Sequence, residues 1–311
     1  MNLGFQPILF PFYIWDNSQH MNFFPLRLLI LFAFALPTVA LHAQTVQEPS
    51  SASYPEWSKP YPPFRIAGNL YYVGTYDLAC YLITTPKGNI LINTGLAASA
   101  EQIKSGIESL GFRLTDTKLL LTTQAHYDHT GAMAELKKRS GAALWVNAPD
   151  APVMADGGSS DYAFGTGVAS FAPVPADSLL KDGETIRLGG TELVMLSHPG
   201  HTKGSCSYLL KTKDENQSYT VLIANLPSIV IDQRFADVKT YPSIKKDYAA
   251  TFASLKRVQF DLWVASHASQ FGLHRKRKPG DAYKPAVFDD KEGFAKAVRE
   301  LEKRYEAHVR K

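Results

Sequence analysis

The hexapeptide Gln124-Ala125-His126-Tyr127-Asp128-His129 stands directly after the apolar run Leu119–Leu121. Imidazole, carboxylate and imidazole within four residues converge only where a chain leaves a strand and bends sharply, the geometry that a zinc ion needs. Two further histidine segments also follow apolar runs. His198-Pro199-Gly200-His201-Thr202 comes after Leu193–Leu196, and Ser266-His267-Ala268 comes after Leu262–Ala265. Three strand ends can thus deliver side chains to one cleft, surrounded by loops rather than core.

The 311 residues are 45% apolar, the composition of an ordinary globular core, and their length suits one large domain. Met21–Arg27 precedes an apolar run from Leu28 to Leu36, broken at Pro37 and followed by small residues up to Ala43. A basic start, a short apolar middle and a small-residue exit mark a secretory signal peptide, with cleavage near Ala40 or Ala43. The run is too short to span a membrane, so an exported protein without a membrane anchor is expected. Residues 1–20 fit either a gene start placed upstream of a true start at Met21 or an extended leader. Residues 1–43 are therefore read as leader and signal, 44–63 as an extended Pro- and Ser-rich arm, and 64–311 as a single catalytic domain.

The net charge of +4 is scattered apart from Arg275–Lys278, and no aromatic ladder accompanies that run. A solvated loop rather than a nucleic-acid site is the reading, although the positive balance can draw in anionic substrates. Cys80 and Cys206 could pair in an exported protein, but their settings favour two separate buried thiols.

From Phe64 to Ile92 short strands and turns form a meander, including the turn Pro86–Asn89. Ile103, Ile107 and Leu110 predict a helix over Ser99–Leu110, and Lys118–Leu121 a strand aimed at the metal turn. A helix is expected from near Gly131, then strands from Ala143, from Ile186 to Tyr208 and at Val221–Ile223. A helix over Asp247–Leu255, a strand at Leu262–Ala265 and a terminal helix over Lys291–Lys311 follow. Periodicity alone is compatible with a layered α/β fold without fixing it.

These motifs resemble the metallo-β-lactamase fold superfamily, whose signature HxHxDH is followed by a histidine in a PGHT-like loop and another near the C-terminus. The resemblance runs from about Tyr61 to Arg277 and implies a four-layer αββα sandwich. Within the superfamily the chain is most similar to subclass B3 β-lactamases, and to their GOB-type branch, which carries glutamine where the first motif histidine normally stands. The resemblance assigns Gln124, His126 and His201 to a first zinc position, and Asp128, His129 and His267 to a second. It implies an enzyme that confers antibiotic resistance by hydrolysing the β-lactam amide of penicillins, cephalosporins or carbapenems with a metal-bound hydroxide; a periplasmic location follows from the leader pattern, and a monomer is the default expectation.

In that scheme Asp128 is also the catalytic residue, accepting a hydrogen bond from the attacking water. Glutamine offers zinc only a neutral amide, so the first site should hold its metal more weakly. Relatives that cleave thioesters, lactones or phosphodiesters place a bridging aspartate near Asn225, and its absence favours the lactamase branch. Where many B3 enzymes have a serine, Leu226 stands here, whereas Ser228 is retained. Ser228 is assigned to substrate contact and Lys203 is a cationic alternative, an ordinary loop role being open for both. His198 is read as packing behind the ligands. Ala151–Val168, glycine-hinged with apolar tips, is either a lip over the cleft or a plain surface loop. Two other functions remain open, a different hydrolase such as a lactonase and a zinc-binding scaffold of weak activity.

Overall fold

The computed structural model describes residues 45–311, so the leader and signal segment lies outside the described residues. Four short antiparallel strands open the domain: β1 (Phe64–Ala67), β2 (Leu70–Tyr72), β3 (Tyr81–Thr85) and β4 (Gly88–Ile92). Helix α1 (Ala100–Ser109) then crosses to β5 (Thr117–Leu121), which pairs parallel to β4. The one-turn helix α2 (Tyr127–Thr130) and helix α3 (Met133–Ser140) lead to β6 (Ala143–Asn147). Helix α4 (Ala151–Ala155) and a long loop precede β7 (Ser178–Leu180), which completes a seven-stranded sheet in sequential order.

A second sheet holds β8 (Thr185–Leu188), β9 (Thr191–Ser197), β10 (Cys206–Lys213), β11 (Ser218–Ala224) and β12 (Leu262–Ala265), in sequential order. Helix α5 (Ile244–Leu255) joins β11 to β12 and makes that pair parallel. The short α6 (Leu273–Lys276) and the terminal α7 (Lys291–Val309) follow.

Strand periodicity explains the layering. In β5, Leu119 and Leu121 face the core between the sheets, whereas Leu120 joins Ile103, Ile107, Met133 and Leu136 beneath α1 and α3. Ile90 and Ile92 in β4 divide from Leu91 in the same way. On the far side, Tyr248, Phe252, Phe294 and Val298 of α5 and α7 continue the inter-sheet core over the second sheet. Helices, sheet, sheet and helices therefore form the αββα sandwich, each fully buried aliphatic side chain contributing on the order of 2 kcal/mol. Two buried tyrosines bolt the sheets together through their hydroxyls: Tyr81 Oη donates to Ala265 O at 2.6 Å and Tyr208 Oη to Thr122 O at 2.9 Å.

Beyond the short elements β7, α4 and α6, which the pattern reading did not foresee, the structure departs from it at two helix boundaries. The metal turn is itself helical, so His129 lies inside α2 rather than just ahead of a helix beginning at Gly131. Helix α5 starts at Ile244, one turn before Asp247, because Ile244 is fully buried and Tyr248 continues its face. Among residues 45–63, Tyr54 is exposed and stacks on Trp57, while Tyr61 is buried.

Gly131 closes α2 against the segment after β4, its amide donating to Gly95 O at 2.8 Å. A β-carbon there would run into the Ala97 nitrogen and the Leu96 carbonyl carbon, both backbone atoms. Gly131→Ala should therefore cost about 2 kcal/mol, within the range of overpacked sites. A denaturant midpoint equal to wild type would show that the backbone there gives way freely.

Candidate metal centre

β5, β9 and β12 release their chains at the same end of the sandwich. After β5, His126 is extended at φ −107°, ψ 152° and caps α2, its carbonyl accepting from His129 N at 2.9 Å and Thr130 N at 3.0 Å. The change from extended to helical backbone sends the His126 ring one way and the side chains of Asp128 and His129 another. The His126 ring lies 4.9 Å from that of His201, at 63°. The His129 ring lies 5.0 Å from that of His267, at 88°.

Asp128, His129 and His267 form a compact set whose ligand atoms all fall within 4.8 Å of one another. Asp128 Oδ2 is 3.1 Å from His129 Nε2 and 3.4 Å from His267 Nε2. Burial alone would raise the Asp128 carboxyl, but His129 and His267 hold it well below the ordinary carboxylate range. Burial pushes His129 down, and neither of its buried ring nitrogens makes a well-directed hydrogen bond. Orphaned buried nitrogens are costly, and a cation coordinated there would satisfy one of them. His267 is drawn up to about 9, Asp128 and Asp77 outweighing its burial. Surroundings that favour a proton on His267 equally favour a metal cation, so the residues present fit a zinc ion.

Histidine orientation is set from outside the cluster. Asp77 Oδ2 lies 3.1 Å from His267 Nδ1, and Asp77 Oδ1 accepts from Ser269 N at 2.8 Å. Despite its burial, Asp77 falls to about 2, chiefly through its bond to His267. Ser228 O accepts from His201 Nδ1 at 2.8 Å, which leaves Nε2 as the free lone pair. Burial depresses His201 to about 3, keeping its ring neutral. His126 Nε2 is buried and lies 3.5 Å from Asp161 Oδ1. Burial works against a charge on His126, yet Asp161 raises its pKa overall. Gln124 is buried at the same strand exit, its backbone carbonyl accepting from Thr122 Oγ1 at 2.6 Å.

Two buried networks support the turn. Asp150, at the start of α4, accepts from Ala125 N at 3.0 Å, Thr202 Oγ1 at 2.7 Å and Gly204 N at 2.6 Å. Asn93 Oδ1 accepts from Thr123 N at 2.9 Å, with Asn93 in the left-handed region at φ 62°. Asn225 Nδ2 donates to Thr123 O at 3.3 Å, and Ser266 Oγ lies 3.2 Å from Asn225 Oδ1. Both cysteines are buried and free.

Ser228 therefore meets His201 directly, its Oγ 3.1 Å from Nδ1, and its carbonyl also accepts from Tyr248 Oη at 2.9 Å. Lys203 sits with Nζ 5.8 Å above the Tyr241 ring. His198 is buried with both nitrogens satisfied, Nδ1 2.7 Å from Ser207 Oγ and Nε2 3.1 Å from Ser254 Oγ. The loop after α4 turns at Gly157 and Gly158, with φ of 70° and 88°, and then reaches the centre. Tyr162 Oη donates toward Gly200 O at 2.9 Å, and the Phe164 ring stands 4.9 Å from that of His126. From the N-terminal side, the Trp57 ring comes within 5.8 Å of His267. Sequence reasoning missed Asp77, Asp150 and Asp161, each a single carboxylate without a surrounding motif. Only Asp161 carried a signal, lying inside the glycine-hinged segment read as either a lip or a plain surface loop.

Fold and centre together define a metallo-hydrolase sandwich. The family described as the metallo-beta-lactamase superfamily matches residues 74–214. The class B3 di-zinc metallo-beta-lactamase LRA-12, from an Alaskan soil metagenome, is 64% identical with a TM-score of 0.84, covering 85% of this chain and 100% of that one. The metallo-beta-lactamase GOB-18 from Elizabethkingia meningoseptica is 54% identical with a TM-score of 0.85, covering 86% and 99%. Hydroxyacylglutathione hydrolase GloC of Haemophilus influenzae is 30% identical over 140 residues, 44% of this chain and 63% of that protein. The chain spans less than two thirds of the length of such curated relatives. This chain belongs to the metallo-β-lactamase superfamily.

Burial lowers His198 from 6.5 to about 4, so between those values the unfolded chain binds a proton that the folded chain refuses. Its contribution is complete above pH 6.5 and is lost as pH falls toward 4, in total roughly 3 kcal/mol at 1.36 kcal/mol per unit. His198→Gln should flatten this acid dependence. The check is the denaturant midpoint of both chains, chelator-treated, across that window; parallel pH profiles would exclude His198 as the group responsible.

Proposed function

We propose that this chain is an exported subclass B3 metallo-β-lactamase that hydrolyses the amide bond of β-lactam antibiotics with zinc, and so confers resistance. The observation that carries this reading is the 64% identity to a class B3 di-zinc enzyme whose whole chain is covered. Identity of 54% to GOB-18, together with Gln124 at the head of the motif, supports placing it on the GOB-type branch. One copy supplies every proposed ligand, which supports action as a monomer. No described helix is long and apolar enough to cross a membrane. Export to the periplasm rests on the N-terminal pattern around Met21–Ala43.

Gln124, His126 and His201 would hold one zinc, and Asp128, His129 and His267 the other. When bound, zinc supplies Lewis acidity, lowering the pKa of water toward about 7 and polarising a carbonyl. Asp128 is buried and ionised, with Oδ2 toward the two histidines, leaving Oδ1 to orient the attacking water. Water oxygen bonds to the lactam carbonyl carbon, the C–N bond breaks, and the ring nitrogen takes up a proton. Trp57 and Phe164 flank the site from opposite segments and offer apolar faces to the substrate. Ser228 and Lys203 remain proposed contacts for its carboxylate, although Ser228 is already engaged with His201. Against a lactonase or thioesterase, Asn225 supplies no carboxylate, and its amide is committed to Thr123 and Ser266.

The mature chain, from about residue 44 onward, should open a carbapenem ring in zinc-containing buffer, lose turnover on chelation and recover it on zinc addition. Folded, zinc-loaded protein without lactam turnover would return the chain to the lactonase or scaffold readings. Gln124→His should tighten first-site zinc binding by about tenfold, equivalent to 1.4 kcal/mol. A chelator-competition titration identical to wild type would remove Gln124 from the ligand set.

A further inference from the structure

We propose that Asp161 is the positioning residue of the first zinc site, orienting His126 and supplying the negative charge that the three neutral ligands lack. The proposal rests on the assignment of Gln124, His126 and His201 to zinc. An imidazole that gives one lone pair to a metal must carry hydrogen on its other nitrogen, and inside a protein that hydrogen needs an acceptor. His126 Nε2 is buried without a well-directed hydrogen bond, and Asp161 Oδ1 stands 3.5 Å away. Both side chains are only 4% exposed, so water does not screen their attraction as it does at the surface. Asp161 thereby favours hydrogen on Nε2 and leaves Nδ1 as the metal-facing nitrogen.

The two sites are asymmetric in charge. The second has a carboxylate ligand, Asp128, and a further carboxylate behind His267 in Asp77. At the first site Gln124, His126 and His201 bring no charge, and Asp161 places a carboxylate on a ligand histidine. Because Asp161 belongs to the loop that carries Tyr162 and Phe164, it also ties that loop to the first site. The same Oδ1 accepts from Ala163 N at 2.9 Å and Phe164 N at 2.8 Å, so the carboxylate shapes the loop as well as facing His126.

Asp161→Asn separates these jobs, since an amide oxygen still accepts from both turn amides while the charge is gone. Zinc titration of the full mature chain with a competing chelator, paired with cobalt(II) spectra and the melting temperature of metal-free protein, reads the result. The expectation is a 10- to 100-fold weaker first site, the range for lost partners of ligand histidines, with the second site within twofold and the metal-free melt unchanged. In a Gln124→His background the first-site affinity should rise while the Asp161→Asn loss persists, because imidazole is a stronger ligand that brings no charge either. Unchanged affinity at both sites would overturn the proposal. Equal weakening of both sites with a lower metal-free melt would also overturn it, leaving Asp161 a structural residue of the loop. A wild-type chain that takes only one zinc would remove the first site and this role together. Two bound zincs without lactam turnover would defeat the lactamase reading alone, and the Asp161 comparison would still decide this one.

Discussion

The Asp150 carboxylate is the tie on which the centre depends. Its three donors come from two loops that belong to different sheets: Ala125 from the metal turn after β5, and Thr202 and Gly204 from the loop that carries His201. Burial pushes Asp150 up to about 6, against the pull of these donors. Two of the three partners, Ala125 N and Gly204 N, are backbone amides that can only donate, so the geometry suits an acceptor on both carboxylate oxygens. The charged form is thus favoured by geometry and opposed by desolvation, and three charge-assisted hydrogen bonds offset much of that cost. This one buried carboxylate thereby ties together the residues that flank His126 and His201.

Beyond that tie, the centre is ordered by where each histidine places its outward nitrogen. His201 turns Nδ1 to the Ser228 carbonyl, His267 turns Nδ1 to Asp77, and His126 turns Nε2 toward Asp161. Different acceptors leave different charges behind rings of the same chemistry. A carbonyl fixes orientation without adding a charge, whereas a carboxylate does both. The difference between the two candidate zinc positions therefore extends past Gln124 and into residues that touch only the ligands.

How much of this was legible in the chain depends on sequence distance. Strand ends were readable because β5 ends in an apolar run and β12 is one throughout, and the metal turn was conspicuous because His126, Asp128 and His129 are adjacent and carry their own spacing. The helical turn at Tyr127–Thr130 was not readable, since four residues are too few for periodicity to register. Asp77, Asp150 and Asp161 lie 190, 25 and 35 residues from their partners His267, Ala125 and His126, and apart from the glycine-hinged segment around Asp161 nothing local distinguishes them from solvated carboxylates. Ser228 was singled out for its hydroxyl, yet the backbone carbonyl makes its shortest bond to the centre, and a carbonyl is present at every residue. The leader lies outside the described residues, so its reading stands on composition alone.

Neutrality beneath the turn has the same physical basis. Asn225 uses both ends of its amide, Nδ2 donating to the Thr123 carbonyl and Oδ1 facing the Ser266 hydroxyl. A carboxylate in its place could still meet Ser266, but its second oxygen would face the Thr123 carbonyl, acceptor against acceptor, in a site only 3% exposed. Asn93 adds a second amide to the same network, holding Thr123 through its oxygen. The scaffold under this centre is therefore built for an uncharged side chain at position 225, and a bridging anion there would need Thr123 to be rebuilt as well. Low ligand charge is consequently a property of the packing around the metal turn, and a pair of cations held above it would keep a strong pull on an anionic substrate.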